Sequence, residues 1–202
     1  MPLHSDVFES TYEGYLAEIE RIDFRRLERI LGLESTGAHI KIRLLGATYR
    51  VSGQGIVDAD GDKPSLGVCV VLCKYLLLCP AEILPARNWA SYRDFKNTAP
   101  LAVYFKNEIE RAIARHFTGH LEGLRRSSKA LGGYQPGVAF PYDAVFQFDA
   151  LSRISLLLLF NDKDEEFPSS CTLLYTESAE RYLDGECLAI LGRLLFERLR
   201  EK

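Results

Sequence analysis

This 202-residue chain is short of the residue types that most often build metal and redox centres, with four histidines and five cysteines. The cysteines never form the closely spaced loop pairs of zinc and iron–sulfur sites. Cys69 and Cys73 are one helical turn apart, and Cys79, Cys171 and Cys187 stand apart. Inside an apolar segment a free cysteine behaves as a small hydrophobe, so core packing is the expected role. An odd count in a chain large enough to bury a core without staples points to reduced thiols and a cytoplasmic setting. A basic excess is also missing: the formal net charge is -3, which argues against a nucleic-acid partner. The first residues, Met1-Pro2-Leu3-His4-Ser5-Asp6, lack the basic start and apolar core of a secretory signal. A spanning helix needs roughly 20 apolar residues. The apolar run Leu66 to Cys79, broken only by Lys74, has instead the length of a buried core helix, so no membrane partner is expected. Catalytic loops are absent as well. Ser52-Gly53-Gln54-Gly55 lacks the third glycine of a dinucleotide fingerprint and the Lys-Ser/Thr of a nucleotide loop. No serine elbow of the Gly-x-Ser-x-Gly form occurs.

No repeat or low-complexity tract divides the chain, so residues 1–202 are expected to form a single domain, with 1–35 as an N-terminal helical segment packed on the body. Phe8, Tyr12, Tyr15, Leu16, Ile19 and Ile22 recur at helical spacing. Asp23 reads as the N-cap of a second helix ended by Gly32. Residues 39–45 alternate in the strand manner, and Gly46-Ala47 turns them into Thr48–Val51, a hairpin. A short extended piece is expected at Gly55-Ile56-Val57. Pro64-Ser65 and Pro80 bracket the apolar helix. The stretch from Pro80 to Pro100, which holds the sole tryptophan, Trp89, reads as irregular. A long amphipathic helix is predicted over 101–117, resuming after Gly119. Strands follow at 144–148, 153–160 and 170–175. The last helix, from Asp184, carries the stripe Leu188, Leu191, Leu195 and Leu199. Strands arrive as hairpins and not singly between helices. The fold class expected is therefore α+β, an antiparallel sheet of hairpins with helices packed mainly on one face.

The region from Leu156 to Tyr175 concentrates most of the information. Leu156–Phe160 and Cys171–Tyr175 flank a polar turn bearing Asp162, Asp164, Glu165 and Glu166. Four carboxylates could offer oxygen ligands to a hard cation. Against the calcium loop, Asp162 and Asp164 fit the first and third positions, but Phe167 and Leu173 replace the required glycine and glutamate. Two charges about 4 Å apart in water interact by only about 1 kcal/mol, so a solvated turn needs no ion. No metal is assigned here. The surrounding charge is uneven. Residues 162–186 hold eight acids against two bases, and residues 106–129 hold six bases against three acids. Docking of the two blocks on each other, or a bipolar face that orients a partner, would account for this.

Three further groups invite a chemical reading. His116 and His120 are one turn apart, but Phe-Thr-Gly lies between them, with no general-base glutamate and no evident third metal ligand. A partly exposed helix end is the ordinary role for such a pair. Tyr142-Asp143 follows the glycine-rich Gly132–Gly137 stretch; an aspartate there can face a cleft or simply cap a turn. Trp89, with Tyr92 and Phe95 nearby, could anchor a ligand or partner.

Several phrases occur in order: the apolar helix, Asn88-Trp89-Ala90-Ser91-Tyr92-Arg93-Asp94-Phe95, Leu131-Gly132-Gly133, Tyr142-Asp143-Ala144, Asp164-Glu165-Glu166-Phe167-Pro168, and Tyr182-Leu183. From about Gly46 onward the chain resembles a family of uncharacterised bacterial and archaeal proteins, many from anaerobes, that carries a domain-of-unknown-function label. Some relatives look fused to a four-cysteine iron–sulfur domain, whose cluster has no counterpart here, so no cofactor is carried over. The resemblance implies a role beside anaerobic redox or one-carbon metabolism and supplies no catalytic residues. Two readings follow. The first is a non-enzymatic accessory module that binds a small ligand or protein through Trp89, Asp143, Asp164, Glu165 and Glu166. The second is a carboxylate-based enzyme, with or without a metal, built on Asp143, Asp164 and Glu165 with His116 as acid/base; it requires these groups to share one cleft.

Overall fold

A computed structural model describes residues 3–85 and 88–201. Met1 and Pro2 lie outside the described residues, and so does the side chain of Phe8. The first two helices are α1 (Leu3–Ile19) and α2 (Phe24–Leu31). Asp23 caps α2 as expected, its carboxylate accepting the Arg25 N–H at 3.0 Å. Gly32 ends it in the left-handed conformation. α1 is tied to the body by Tyr12, whose buried hydroxyl accepts the Ile56 N–H at 3.0 Å.

Strands β1 (Glu34–Ser35), β2 (Ile40–Leu44), β3 (Ala47–Ser52) and β4 (Gly55–Val57) form an antiparallel meander. β2 alternates buried and exposed residues along its length, as its sequence pattern requires. Its hairpin turn is Leu45-Gly46 and not Gly46-Ala47, because Ala47 pairs with Leu44. Both turn residues have positive φ, 46° and 85°, the conformation that matches strand twist in a two-residue loop.

β5 (Trp89–Ser91), β6 (Ala144–Leu151), β7 (Ile154–Asn161) and β8 (Ser170–Thr176) form a second antiparallel sheet in the order β5-β8-β7-β6. The α+β class with antiparallel strands is therefore correct, and the strands divide between two sheets where one was expected. No backbone ladder crosses from β2 to β6. The sheets meet by packing and by a single bond from the Leu45 N–H to the Ala150 carbonyl, 2.9 Å. β5 lies within the stretch read as irregular; three residues are too few to register as a pattern.

The apolar run on β7 serves both sheet faces. Leu156, Leu158 and Phe160 enter the main core. Leu157 and Leu159 point the other way and are also buried, beside Val145, Gln147, Thr172 and Leu174 of the neighbouring strands. That two-sided burial is why the run shows no alternation.

α3 (Leu66–Leu77) is the buried central helix, against which Gly67 admits Ile190 and Leu194 of α7 (Gly185–Arg200). Leu188, Leu191, Leu195 and Leu199 of α7 are all buried. The helix predicted over 101–117 is interrupted. It runs as α4 (Ala102–Phe105), a π turn (Lys106–Glu110) and α5 (Arg111–Phe117), followed by α6 (Leu121–Ala130). Among the described residues no helix is long and apolar enough to cross a membrane.

Candidate functional site

The carboxylates of the β7–β8 turn are largely spent on their own backbone. Asp164 accepts the N–H groups of Glu166 and Phe167 at 2.8 and 2.7 Å. Those two bonds hold its carboxyl below the usual aspartate range. Asp162 accepts the Gly119 N–H at 2.7 Å and the Lys163 N–H at 2.8 Å. Asp143 accepts the Asp162 N–H at 2.8 Å, and its own N–H donates to Asn161 at 3.2 Å. Glu165 and Glu166 stand exposed. Among the described residues no group of three or more His, Cys, Asp or Glu side chains could hold a metal ion.

Asp143 and the acidic turn are thus joined at one end of the second sheet, and Trp89 is not with them. Trp89 pairs with Thr176, six residues along β8 from Ser170 at the turn, or roughly 20 Å. It is half-buried at the sheet's opposite end. Nor do the two charge blocks meet through ion pairs among the described residues. Lys106 bonds Glu110 and Arg125 pairs with Glu122, both within the basic block. The blocks touch through neutral donors instead, the Gly119 N–H to Asp162 and the Thr118 hydroxyl against that of Ser169. His116 lies in a different hollow, with residues of α6 and α7. Among the described residues, Asp143 and His116 thus line different hollows.

Asp143 does lie at a cleft, of about 440 Å³, between α6 and the segment 135–143. Both ends of that segment are fixed. Tyr134 exchanges two backbone hydrogen bonds with Gln147 and donates its hydroxyl to Asp149 at 3.1 Å; Asp143 is held at the other end by Asn161 and Asp162. The chain arches between these anchors, with Gly137 and two prolines keeping it off the sheet. Phe140, Tyr142, Val145 and Phe146 give the cleft apolar walls, and Arg125 and Lys129 bring positive charge from α6. Arg125 is oriented by a 2.8 Å bond to the Asp143 carbonyl. Lys129 has no ion-pair or hydrogen-bond partner among the described residues. The lining is therefore mixed, with charged and amide groups set among these aromatic and aliphatic side chains.

Glu110 had no place in the sequence reading. Its side chain is 9% exposed and bonds Lys106 at 2.9 Å. It also accepts the Leu173 N–H at 2.9 Å, a donor on the β8 edge beyond the reach of β5. It borders a second hollow of about 570 Å³ with Tyr92, Asn107 and Arg111. The five cysteines are all free and buried. Burial raises every one of their thiol pKa values, Cys73 to about 12, which suits packing and not nucleophilic chemistry.

A family model described as a domain of unknown function (DUF3786) matches residues 23–198. The chain belongs to that family. The match takes in both sheets, the α6 cleft and the acidic turn, and begins at the cap of α2, leaving α1 outside it. No curated protein and no solved structure matches the chain.

Proposed function

We propose that this protein is a binding module and that its ligand, a small organic anion with an apolar body, occupies the cleft between α6 and the 135–143 segment. The observation that carries this reading is Lys129. An unpaired ammonium stands beside the apolar walls of a cleft sized for a small molecule. Asp143 contributes as an anchor of the cleft wall, and Arg125, tied to its carbonyl, supplies a second cation. Asp164, Glu165 and Glu166 stand on the turn next to that wall, where their charge would repel an anion approaching from that side. Trp89, remote from the cleft, is assigned to a partner-facing role of its own. A place beside anaerobic redox or one-carbon metabolism, in a cytoplasm, rests on the family resemblance.

Anilinonaphthalenesulfonate, an aromatic anion, is a suitable probe. Native protein should enhance its fluorescence saturably, and Lys129→Gln, which removes the charge without placing an anion at the α6 C-terminus, should weaken that binding by about tenfold or more. Undiminished enhancement in the variant would sink the proposal.

A further inference from the structure

We propose a second ligand site, independent of the α6 cleft: a phosphate site in the hollow where α5, α6 and the end of α7 converge. This hollow, of about 370 Å³, is lined by His116, His120, Gly123, Arg126, Ser127 and Arg200. With Phe117 and Leu199 completing the lining, four of its eight residues are Arg or His, in a chain whose net charge is negative. None of the four makes a hydrogen bond or ion pair among the described residues. Two acidic side chains of these helices are engaged elsewhere, Glu122 with Arg125 and Glu197 with Arg193.

The arrangement is held by packing. Phe196 packs against both His116 and Arg200: the His116 ring meets it edge-on at 6.2 Å, and the Arg200 guanidinium lies over it at 5.3 Å. His120 is the N-cap residue of α6 and makes no side-chain cap bond. Ser127, only 6% exposed, lines the hollow with a hydroxyl that has no partner among the described residues. That hydroxyl is free to donate into the hollow. A bound oxyanion would supply the acceptor. Gly123 keeps the space open, since a Cβ built there meets nothing nearer than His120 at 3.8 Å.

Guanidinium forks, imidazoles and a hydroxyl are a donor set that recognises a phosphate dianion. The hollow has room for the phosphate and part of the group it is attached to. Inorganic phosphate and a small phosphomonoester share this chemistry, and titration separates them. Calorimetry and ³¹P NMR at low ionic strength with inorganic phosphate and with glycerol 3-phosphate should show saturable binding of at least one. Comparable binding of both assigns free phosphate as sufficient; binding of the ester alone assigns a phosphorylated metabolite. The double variant Arg126→Gln/Arg200→Gln should weaken binding by about tenfold or more. Gly123→Leu should abolish it by filling the hollow without lowering the melting temperature, because leucine is the better helix former. No heat and no ³¹P shift for either compound at roughly 10 mM, a regime beyond any specific site of this kind, would overturn the proposal. Binding that survives both variants unchanged would do the same. Lys129→Gln leaves this hollow untouched, since Lys129 is not part of its lining, so failure here and failure at the α6 cleft are separate results.

Discussion

Asp164 illustrates how a residue can be conspicuous in a sequence for one reason and useful for another. Its place in an acid-rich turn suggests an ion; its geometry makes it the acceptor of two backbone N–H groups. Those bonds favour the ionised form, so the folded-state pKa lies below the unfolded value. The contribution is therefore present above the ordinary aspartate range and is lost as pH falls through the folded pKa. In an acid titration followed by NMR, the Glu166 and Phe167 amides should shift together with a midpoint below that range. Asp164→Asn, which keeps an acceptor, should remove the titration and preserve the turn. A midpoint at the ordinary aspartate value would contradict the assignment. The acidic cluster was legible in the sequence because charge is a property of residue type. The partners were not, since Gly119 and Asp143 reach Asp162 only after three separate elements have packed.

At the level of elements, the least expected feature is the π turn at Lys106–Glu110. Period-3.6 spacing predicts one helix over 101–117, and nothing in residue type marks where an extra residue is inserted. Its effect is to bring Glu110 to the open edge of β8, where β5 has ended and the Leu173 N–H would be left without a strand partner. A buried donor that loses its acceptor costs about 1–3 kcal/mol. Glu110→Ala should destabilise the protein by about that amount in urea unfolding, and Glu110→Gln, which retains an acceptor oxygen, should recover part of the loss. Equal losses in the two variants would show that the bond to Leu173 is not what matters. Helix-on-edge protection of this kind also explains how β8 avoids presenting a free edge to another chain.

Across the whole molecule, a few long-range bonds decide how the two sheets and the last helix sit. Arg198 stands in the last turn of α7. In the structure it donates to the carbonyls of Leu44 and Leu45 and to the Tyr49 hydroxyl, while the Leu45 N–H reaches Ala150 in the other sheet. A lysine cannot reproduce that fork. Hydrogen bonds to charged groups contribute about 1.5–3 kcal/mol each, so Arg198→Lys should lower stability by at least one such increment in urea unfolding. It should also speed hydrogen exchange at the Leu45 amide. An unchanged exchange rate would mean that the sheet junction does not depend on Arg198.

The local periods of the chain, its caps and its breakers were enough to determine most helices, both strand groups, the buried α3 and the α+β class, because those depend on neighbours within a few residues. Sequence alone also established that cysteine and histidine spacing suits no standard metal motif. Tertiary structure decided the rest: two sheets in place of one, β5 within an aperiodic stretch, Trp89 at the far end from the acidic turn, and His116 and His120 beside Arg126 and Arg200. Each of these is a contact between segments far apart in the chain, set by how buried faces fit together, and no local pattern records such a fit.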